Sequence, residues 1–278
     1  MIKMIAFDLD GTAFDDHKVI LPETKKAFSL AAERGVQIVP ATGRPFTGLL
    51  SQVDRLEGVE YVVTSNGAGV YEKKTGVCLH EQGMKLETIL PLMERLEELD
   101  VMADAFVKGD SFMSQPKQCL IDKMNVSDEI KQFIRSIRTV VPSQVDYLRE
   151  RGDAVEKLTI NFMNEPDGKR RDYEKAWEII REYPELNAVC GGMHNIEVTA
   201  RGISKASALQ WLCQRLGIAP EETAAFGDSG NDVEMLKFAG VGVAMGNAGG
   251  DAKEAAQFVT KSNNENGIAY AIDYLKLI

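Results

Sequence analysis

Short apolar runs alternate with amphipathic stretches through the first third of the chain. Ile2–Phe7 reads as a buried strand, Val36–Pro40 as a second and Tyr61–Thr64 as a third. Between them, Pro22–Arg34 has helical spacing, with Pro at its first turn and Gly35 just past its end, and Phe46–Leu56 is a second amphipathic helix. Val70–Tyr71 and Val77–Leu79 flank Lys73-Lys74-Thr75-Gly76 as a hairpin. A β-α-β-α-β order implies parallel strands joined by right-handed crossovers. The last third repeats the style. Helices are expected at Ser204–Leu216, Asp232–Phe238 and Ile268–Leu277, and strands at Thr223–Phe226, Val241–Ala244 and Phe258–Thr260.

The middle reads differently. Leu86–Leu99 and Ser127–Arg138 look helical, Leu158–Met163 alternates like a half-buried strand, Asp167–Glu182 is a charged helix, and Asn195–Thr199 is a strand. This α+β mixture carries more charge and no strand that ends in Asp. It predicts a module over residues 84–195, inserted into one discontinuous α/β domain made of residues 1–83 and 196–278. The core is thus expected to be a doubly wound, Rossmann-like parallel sheet. No internal repeat or low-complexity tract interrupts the chain.

Composition narrows the partners. With 278 residues and 44% hydrophobic residues the chain can bury a substantial core. Lys+Arg 32 against Asp+Glu 42 gives a net charge of −10, which argues against general nucleic-acid binding and against an anionic membrane surface. An anionic substrate would then need a local positive device. Cys78, Cys119, Cys190 and Cys213 are scattered without a C-x-x-C pair and read as reduced thiols of a cytoplasmic protein. No apolar run approaches the roughly 18 residues of a membrane span, and the N-terminus opens on a strand rather than a cleavable leader.

Four clusters fall just after expected core strands or at the start of a core helix. They are Asp8-Leu9-Asp10-Gly11-Thr12, Ala41-Thr42-Gly43-Arg44-Pro45, Gly202-Ile203-Ser204-Lys205, and Gly227-Asp228-Ser229-Gly230-Asn231-Asp232. Each alone has an ordinary reading. Asp8 and Asp10 fit a capped turn, Thr42 and Ser204 fit N-caps, Lys205 fits a solvated lysine, and Asp228 with Asp232 fits a helix-dipole role. Together they bring two acid pairs, a hydroxyl and a lysine to one sheet edge, where open α/β sheets hold their ligands. A carboxylate can attack phosphorus, while Thr42 and Lys205 can hold phosphoryl oxygens. Four carboxylates beside a phosphate dianion overwhelm one lysine, and Mg²⁺ is the simplest compensation.

These clusters, in this order, resemble the haloacid dehalogenase (HAD) superfamily of phosphohydrolases. Thr64-Ser65-Asn66-Gly67-Ala68, Gly202-Ile203-Ser204-Lys205-Ala206-Ser207-Ala208-Leu209, Val243-Ala244-Met245-Gly246-Asn247-Ala248 and Asn266-Gly267-Ile268-Ala269 are similar to its Cof-like type IIB branch. The resemblance covers about 170 residues of the two outer segments and is weak in the middle. It implies an α+β cap of type C2B that supplies substrate specificity, and Mg²⁺-dependent hydrolysis of small phosphorylated metabolites such as sugar phosphates. Asp8 would be nucleophile and metal ligand. Asp10 would be general acid and then base, giving its backbone carbonyl to the metal. Asp228 would be a direct ligand and Asp232 an indirect one. Leu9, Thr42, Gly43, Lys205 and Asn231 would contact phosphate, and Asn66 would lie near the substrate. Ala13 departs from the commoner Leu, a packing difference.

Spacing places the lid independently. Thr42 and Lys205 are 163 positions apart, room for a domain-sized insert that excludes water and admits substrate. In that insert Lys117, Lys123, Arg135, Arg138, His194 and Asn195 are candidates to grip the rest of the substrate, with His194 and Asn195 favoured because they begin the strand returning to the core. Three other readings compete. A phosphomutase would share the nucleophile. A phospho-receiver would need no large insert. A serine protease, suggested by Gly227-Asp228-Ser229-Gly230, would need an all-β double barrel. The partner expected is a small phosphorylated metabolite, met by a monomer or homodimer.

Overall fold

The computed structural model describes residues 1–49, 53–54, 56–124, 126–165, 167–191 and 195–278. The chain divides into two compact units, Met1–Glu81 with Ile203–Ile278, and Gln82–Gly202.

The first unit is built on a five-stranded parallel sheet. In chain order its strands are β1 (Met4–Phe7), β2 (Gln37–Pro40), β12 (Thr223–Gly227), β13 (Val241–Ala244) and β14 (Phe258–Val259), arranged in space as β14-β13-β12-β1-β2. Their near-continuous apolar character follows from burial on both faces. Helix Pro22–Glu33 crosses from β1 to β2, and helices Val233–Phe238 and Gly250–Ala255 cross between the later strands. The core includes Phe7 stacked on Phe28 at 4.5 Å, with Ile5, Ile38, Val39, Phe226 and Leu209 around it. This is the α/β doubly wound sheet that the sequence predicts.

The third expected strand, β3 (Tyr61–Thr64), belongs to a separate antiparallel sheet with β4 (Gly69–Glu72) and β5 (Cys78–Glu81). It still touches the parallel sheet through one bridge, Ala41 to Val63, and Thr42 N–H donates to the Val63 carbonyl at 3.0 Å. The hairpin strands are longer than their apolar cores suggest, because the ladder extends through Glu72 and Glu81. The expected helix Phe46–Leu56 includes residues 50–52 and 55, which lie outside the described residues.

β1 lies at the switch point of the sheet. The chain moves to β2 on one side, and the later segment adds β12 on the other, in parallel register with Phe7 opposite Phe226. The residues that follow β1 and β12 therefore emerge side by side at the carboxyl edge, where a crevice forms in this topology.

The second unit carries a six-stranded sheet, in the order β10-β11-β9-β6-β7-β8. Its strands are β6 (Val101–Val107), β7 (Asp110–Ser114), β8 (Arg138–Val141), β9 (Lys157–Phe162), β10 (Leu186–Cys190) and β11 (Ile196–Ala200). One face packs Val101, Ala105, Leu158, Ile160 and Val198 against helices Leu86–Glu97, Gln144–Arg151 and Tyr173–Arg181. The other face buries the polar Asp104, Lys157, Thr159 and Asn161 beside a second apolar cluster that includes Met102, Met113, Leu120, Ile121 and Ile134. Two expectations need correction here. Residues 196–200, assigned above to the core, form β11 inside this sheet, paired antiparallel to β9 and β10, and the units divide after Gly202. The pairing partners are tens of residues away, so no local pattern marks that boundary. The charged helix starts at Tyr173 rather than Asp167, because Gly168 (φ +82°) and Asp172 (φ +56°) are left-handed and break the helical path.

Candidate active site

Asp8 follows the last residue of β1, and its backbone N–H donates to the Phe226 carbonyl on β12 at 3.0 Å. The sheet ladder thus continues one residue into the site and fixes the direction of the side chain. Asp228 follows Gly227, the last residue of β12. The turn after Asp8 is tied across to it, because Thr12 Oγ1 donates to Asp228 Oδ1 at 2.7 Å. Gly11 (φ +83°) lets this turn approach closely, since a Cβ there would stand 2.5 Å from Asp228 Oδ2.

Helix Lys205–Leu216 starts with a reciprocal cap between Ser204 and Ser207 and presents Lys205 at its first position. The Lys205 ammonium is fully buried and donates to Asp8 Oδ1 at 2.6 Å and to Asp232 Oδ1 at 2.7 Å. The flanking carboxylates outweigh burial and hold Lys205 protonated, well above the ordinary lysine range. Asp232 Oδ2 accepts from the backbone N–H groups of Asp228, at 2.9 Å, and Ser229, at 3.1 Å. One carboxylate thereby braces both the lysine and the Asp228 turn.

The acids are crowded. Burial first, then repulsion from Asp232, Asp228 and Asp10, pushes the Asp8 carboxyl up, against the pull of Lys205. Burial, with repulsion from Asp232 and Asp10, pushes Asp228 up to about 6 despite Thr12 and Lys205. Oxygens of Asp8, Asp228 and Asp232 lie within 4.8 Å of one another. Asp232 spends both oxygens internally. Among the described residues no hydrogen bond reaches Asp8 Oδ2 or Asp228 Oδ2. Two crowded carboxylate oxygens without a hydrogen-bond partner suit a hard divalent cation, so the donor set fits such an ion.

Asp10 has the opposite environment. Arg44 grips it bidentately, Nε to Oδ2 at 2.7 Å and Nη2 to Oδ1 at 2.7 Å, and Lys18 Nζ reaches Oδ1 at 2.9 Å. Burial alone would raise its pKa, but these cations outweigh it and hold the carboxyl at about 2. Arg44 and Lys18 received no role from sequence. Arg44 sits two residues after Thr42 in the Ala41–Pro45 cluster, which is the one signal that could have flagged it, while Lys18 lies in a loop without pattern.

Thr42 is buried. Its Oγ1 accepts from Arg44 N–H at 3.2 Å, and its carbonyl accepts from Asn66 N–H at 3.0 Å. Asn66 is left-handed (φ +58°) in the Ser65–Gly67 turn, and its Oδ1 accepts from Asn231 Nδ2 at 3.1 Å. Leu9 gives its carbonyl to the N–H groups of Thr12 and Phe14. Asp8, Leu9, Asp10, Thr42, Gly43, Asn66, Lys205, Asn231, Asp228 and Asp232 thus all belong to the first unit. Asn195 belongs to the second, where its carbonyl accepts from Gly191 N–H at 2.9 Å, and His194 lies outside the described residues.

Three further cap candidates have internal duties. Lys117 donates to the Glu97 and Leu99 carbonyls, Arg135 pairs with Asp122, and Arg138 is buried against Asp104 at 2.6 Å. The sequence shows their charge and not the partner that consumes it.

Asparagines near the C-terminus make a clamp that the sequence reading left without a role. Asn247 Nδ2 donates to the Gly11 carbonyl at 2.8 Å and its Oδ1 accepts from Asn263 N–H at 2.9 Å. Asn263 Nδ2 donates to the Phe14 carbonyl at 3.0 Å, and Asn264 pairs with Asp16. The loop that follows Asp10 is therefore tethered to the far end of the chain. Asn247 stood in a family-like run, and that was the available signal.

The family model for haloacid dehalogenase-like hydrolases matches residues 5–272. This chain belongs to that family. YxeH of Bacillus subtilis (strain 168) is 32% identical over 282 residues, covering 100% of this chain and 99% of that one. The 5-amino-6-(5-phospho-D-ribitylamino)uracil phosphatase YcsE of the same strain is 30% identical over 272 residues, covering 98% of this chain and 94% of its own. Among solved structures, the HAD subclass IIB sugar phosphatase BT4131 superposes with a TM-score of 0.81 at 25% identity, covering 99% of this chain and 100% of that one. This HAD-family protein is accordingly a hydrolase of phosphoric monoesters. Its acidic cluster can hold a divalent metal, and no helix among the described residues is long and apolar enough to cross a membrane.

Proposed function

We propose that this HAD-family hydrolase is a Mg²⁺-dependent phosphatase of small phosphorylated metabolites, with sugar phosphates the favoured class, working in the cytoplasm as a monomer or homodimer through a phosphorylated Asp8. The observation that carries the reading is the placement of Asp8 at the end of the central strand, paired with a buried Lys205 and crowded by Asp228.

Asp8 and Asp228, with the Asp10 backbone carbonyl, would hold Mg²⁺, and Asp232 would support them from behind through Lys205 and the Asp228 turn. When bound, the ion supplies charge that offsets the acids and the phosphate dianion. Lys205, the Thr42 hydroxyl, Asn231, Gly43 and the Leu9 backbone would hold phosphoryl oxygens. In the first step an Asp8 oxygen bonds to phosphorus, the ester P–O bond breaks, and Asp10 would pass a proton to the leaving oxygen, for which its carboxyl must first be released by Arg44 and Lys18, since they hold it ionised at about 2. In the second, water bonds to phosphorus, its proton goes to Asp10, and the bond from Asp8 to phosphorus breaks to release inorganic phosphate. Asn66, held by Asn231, would stand beside the substrate, and His194 and Asn195 of the inserted unit would contact its non-phosphate part. BT4131, described as a sugar phosphatase of subclass IIB, supports the substrate class.

Phosphate release from a panel of sugar phosphates, nucleotides, pyridoxal phosphate and an aryl phosphate tests this, run with Mg²⁺ and with EDTA beside Asp8→Asn. Metal-dependent release that vanishes in Asp8→Asn is the expected result. Unchanged turnover by Asp8→Asn would sink the mechanism, and a bisphosphate requirement would point to mutase chemistry instead.

A further inference from the structure

The turn that follows Asp10 closes a ring of three hydrogen bonds with the loops beyond β12 and β13. Thr12 Oγ1 donates to Asp228 Oδ1 at 2.7 Å. The Asp228 carbonyl accepts from Gly249 N–H at 2.9 Å. Asn247, two residues before Gly249, returns to the turn, and its Nδ2 donates to the Gly11 carbonyl at 2.8 Å. Each bond joins separate segments of the chain, so the ring exists only in the folded protein.

The Asn247 amide has one orientation in this ring. The Asn263 N–H meets its Oδ1 at 2.9 Å, and a donor there needs the oxygen, which turns the Nδ2 hydrogens toward Gly11. Asn263 Nδ2 holds a second point of the same turn, the Phe14 carbonyl at 3.0 Å. Gly11 stands between the Asp10 carbonyl on one side and Thr12, the partner of Asp228, on the other. Its φ of +83° is left-handed, and its carbonyl is fixed by Asn247, so both of its backbone torsions are constrained.

We infer that Asn247 is a positioning residue for the divalent-cation site: by pinning Gly11 it sets the spacing between the Asp10 carbonyl and the Asp228 carboxylate, and a fixed spacing favours a small ion. Mg²⁺ demands near-octahedral oxygens at about 2.0–2.1 Å, whereas Ca²⁺ accepts about 2.3–2.6 Å and irregular geometry, so rigidity counts for the first and little for the second. The Asn247 bond goes to Gly11 and to neither ligand, so its action runs through the turn. The inference rests on the metal reading proposed above.

The test is titration calorimetry of the full chain with Mg²⁺ and with Ca²⁺ in the absence of substrate, beside urea unfolding in EDTA. Asn247 is exposed, so Asn247→Ala opens no cavity, and its unfolding midpoint in EDTA is expected to stay near that of the wild type. Mg²⁺ affinity should fall by about tenfold and Ca²⁺ affinity by less than about twofold, the ratio of the two being the reading. Thr12→Val cuts the same ring, so adding Asn247→Ala to it should lower Mg²⁺ affinity by less than about threefold more. Asn247→Asp serves if Asn247→Ala unfolds early. It keeps the acceptor for Asn263 N–H and loses the donor to Gly11, and its added charge acts on both ions alike, so the same shift in the ratio is expected. Equal losses for the two ions, no loss, or losses that multiply in the double variant overturn the role of Asn247 while the metal reading stands. A wild-type protein that binds no Mg²⁺, or whose binding is unchanged by Asp228→Asn, would overturn the metal reading and this inference with it.

Discussion

The Lys205 ammonium meets Asp8 Oδ1 at 2.6 Å in a position closed to solvent. A buried ion pair adds little net stability, but removing one partner strands the other. Here two carboxylates depend on one lysine, because Asp232 lies 2.7 Å away on the same ammonium. Lys205→Met should therefore lower stability in EDTA by about 3–5 kcal/mol, measured by urea unfolding. Saturating Mg²⁺ should return part of that loss, since the ion and the lysine offset the same charges. Unchanged unfolding in EDTA would mean that the pair does not hold the acids together.

Asp228 predicts how metal affinity follows pH. Its folded pKa of about 6 stands above the ordinary 3.8 of an aspartate. Between those values the folded state holds a proton that the unfolded state has lost. The stability that this group contributes therefore falls as pH rises through the window, and the full penalty is present above about pH 6. A cation must displace that proton. Affinity for Mg²⁺, followed calorimetrically from pH 5 to 8, should rise with pH, by at least about tenfold per unit below pH 6, because the Asp8 carboxyl, which burial also pushes up, must be ionised as well. A flat profile from pH 5 upward would contradict the raised pKa.

Gly67 carries the turn that places Asn66. Its φ is +103°, and a Cβ there would collide with the Ser204 carbonyl and crowd Lys205 N at 3.0 Å. Both faults fall on backbone, which cannot swing aside. Gly67→Ala is expected to cost at least about 2 kcal/mol and to reduce kcat/KM, because relief must move either Asn66 or the start of the Lys205 helix. Normal melting together with normal activity would show that the turn does not pack there.

Asp104 and Arg138 form a buried pair within the six-stranded sheet, at 2.6 Å, with Asn161 Nδ2 adding a bond to Asp104 Oδ2 at 3.2 Å. Burial still pushes the Asp104 carboxyl up, against Arg138. Arg138→Met should destabilise by about 3–5 kcal/mol, whereas Arg138→Met with Asp104→Leu should recover most of the loss. Equal losses in the single and double variants, by urea unfolding, would show that charge compensation is not what Arg138 provides.

The sequence by itself placed the candidate catalytic groups of this protein, because they sit beside strand ends. Asp8 must follow β1 and Asp228 must follow β12, since apolar runs of that length make buried strands and the next residue is the acid. Parallel topology then brings the two acids to one edge, so the site and the α/β core were legible from periodicity and motif alone. Partnership was not legible. Arg44 and Lys18 meet Asp10, Asn247 meets Gly11, and Arg138 meets Asp104 only after the chain folds, and the same charges would read as solvated in any local window. The strand Ile196–Ala200 looked like a return to the core because a local pattern states that a segment is a strand, not which strand it joins. Hydrogen-bond partners distant in sequence decide membership in a sheet, and they decide which charges remain available for chemistry.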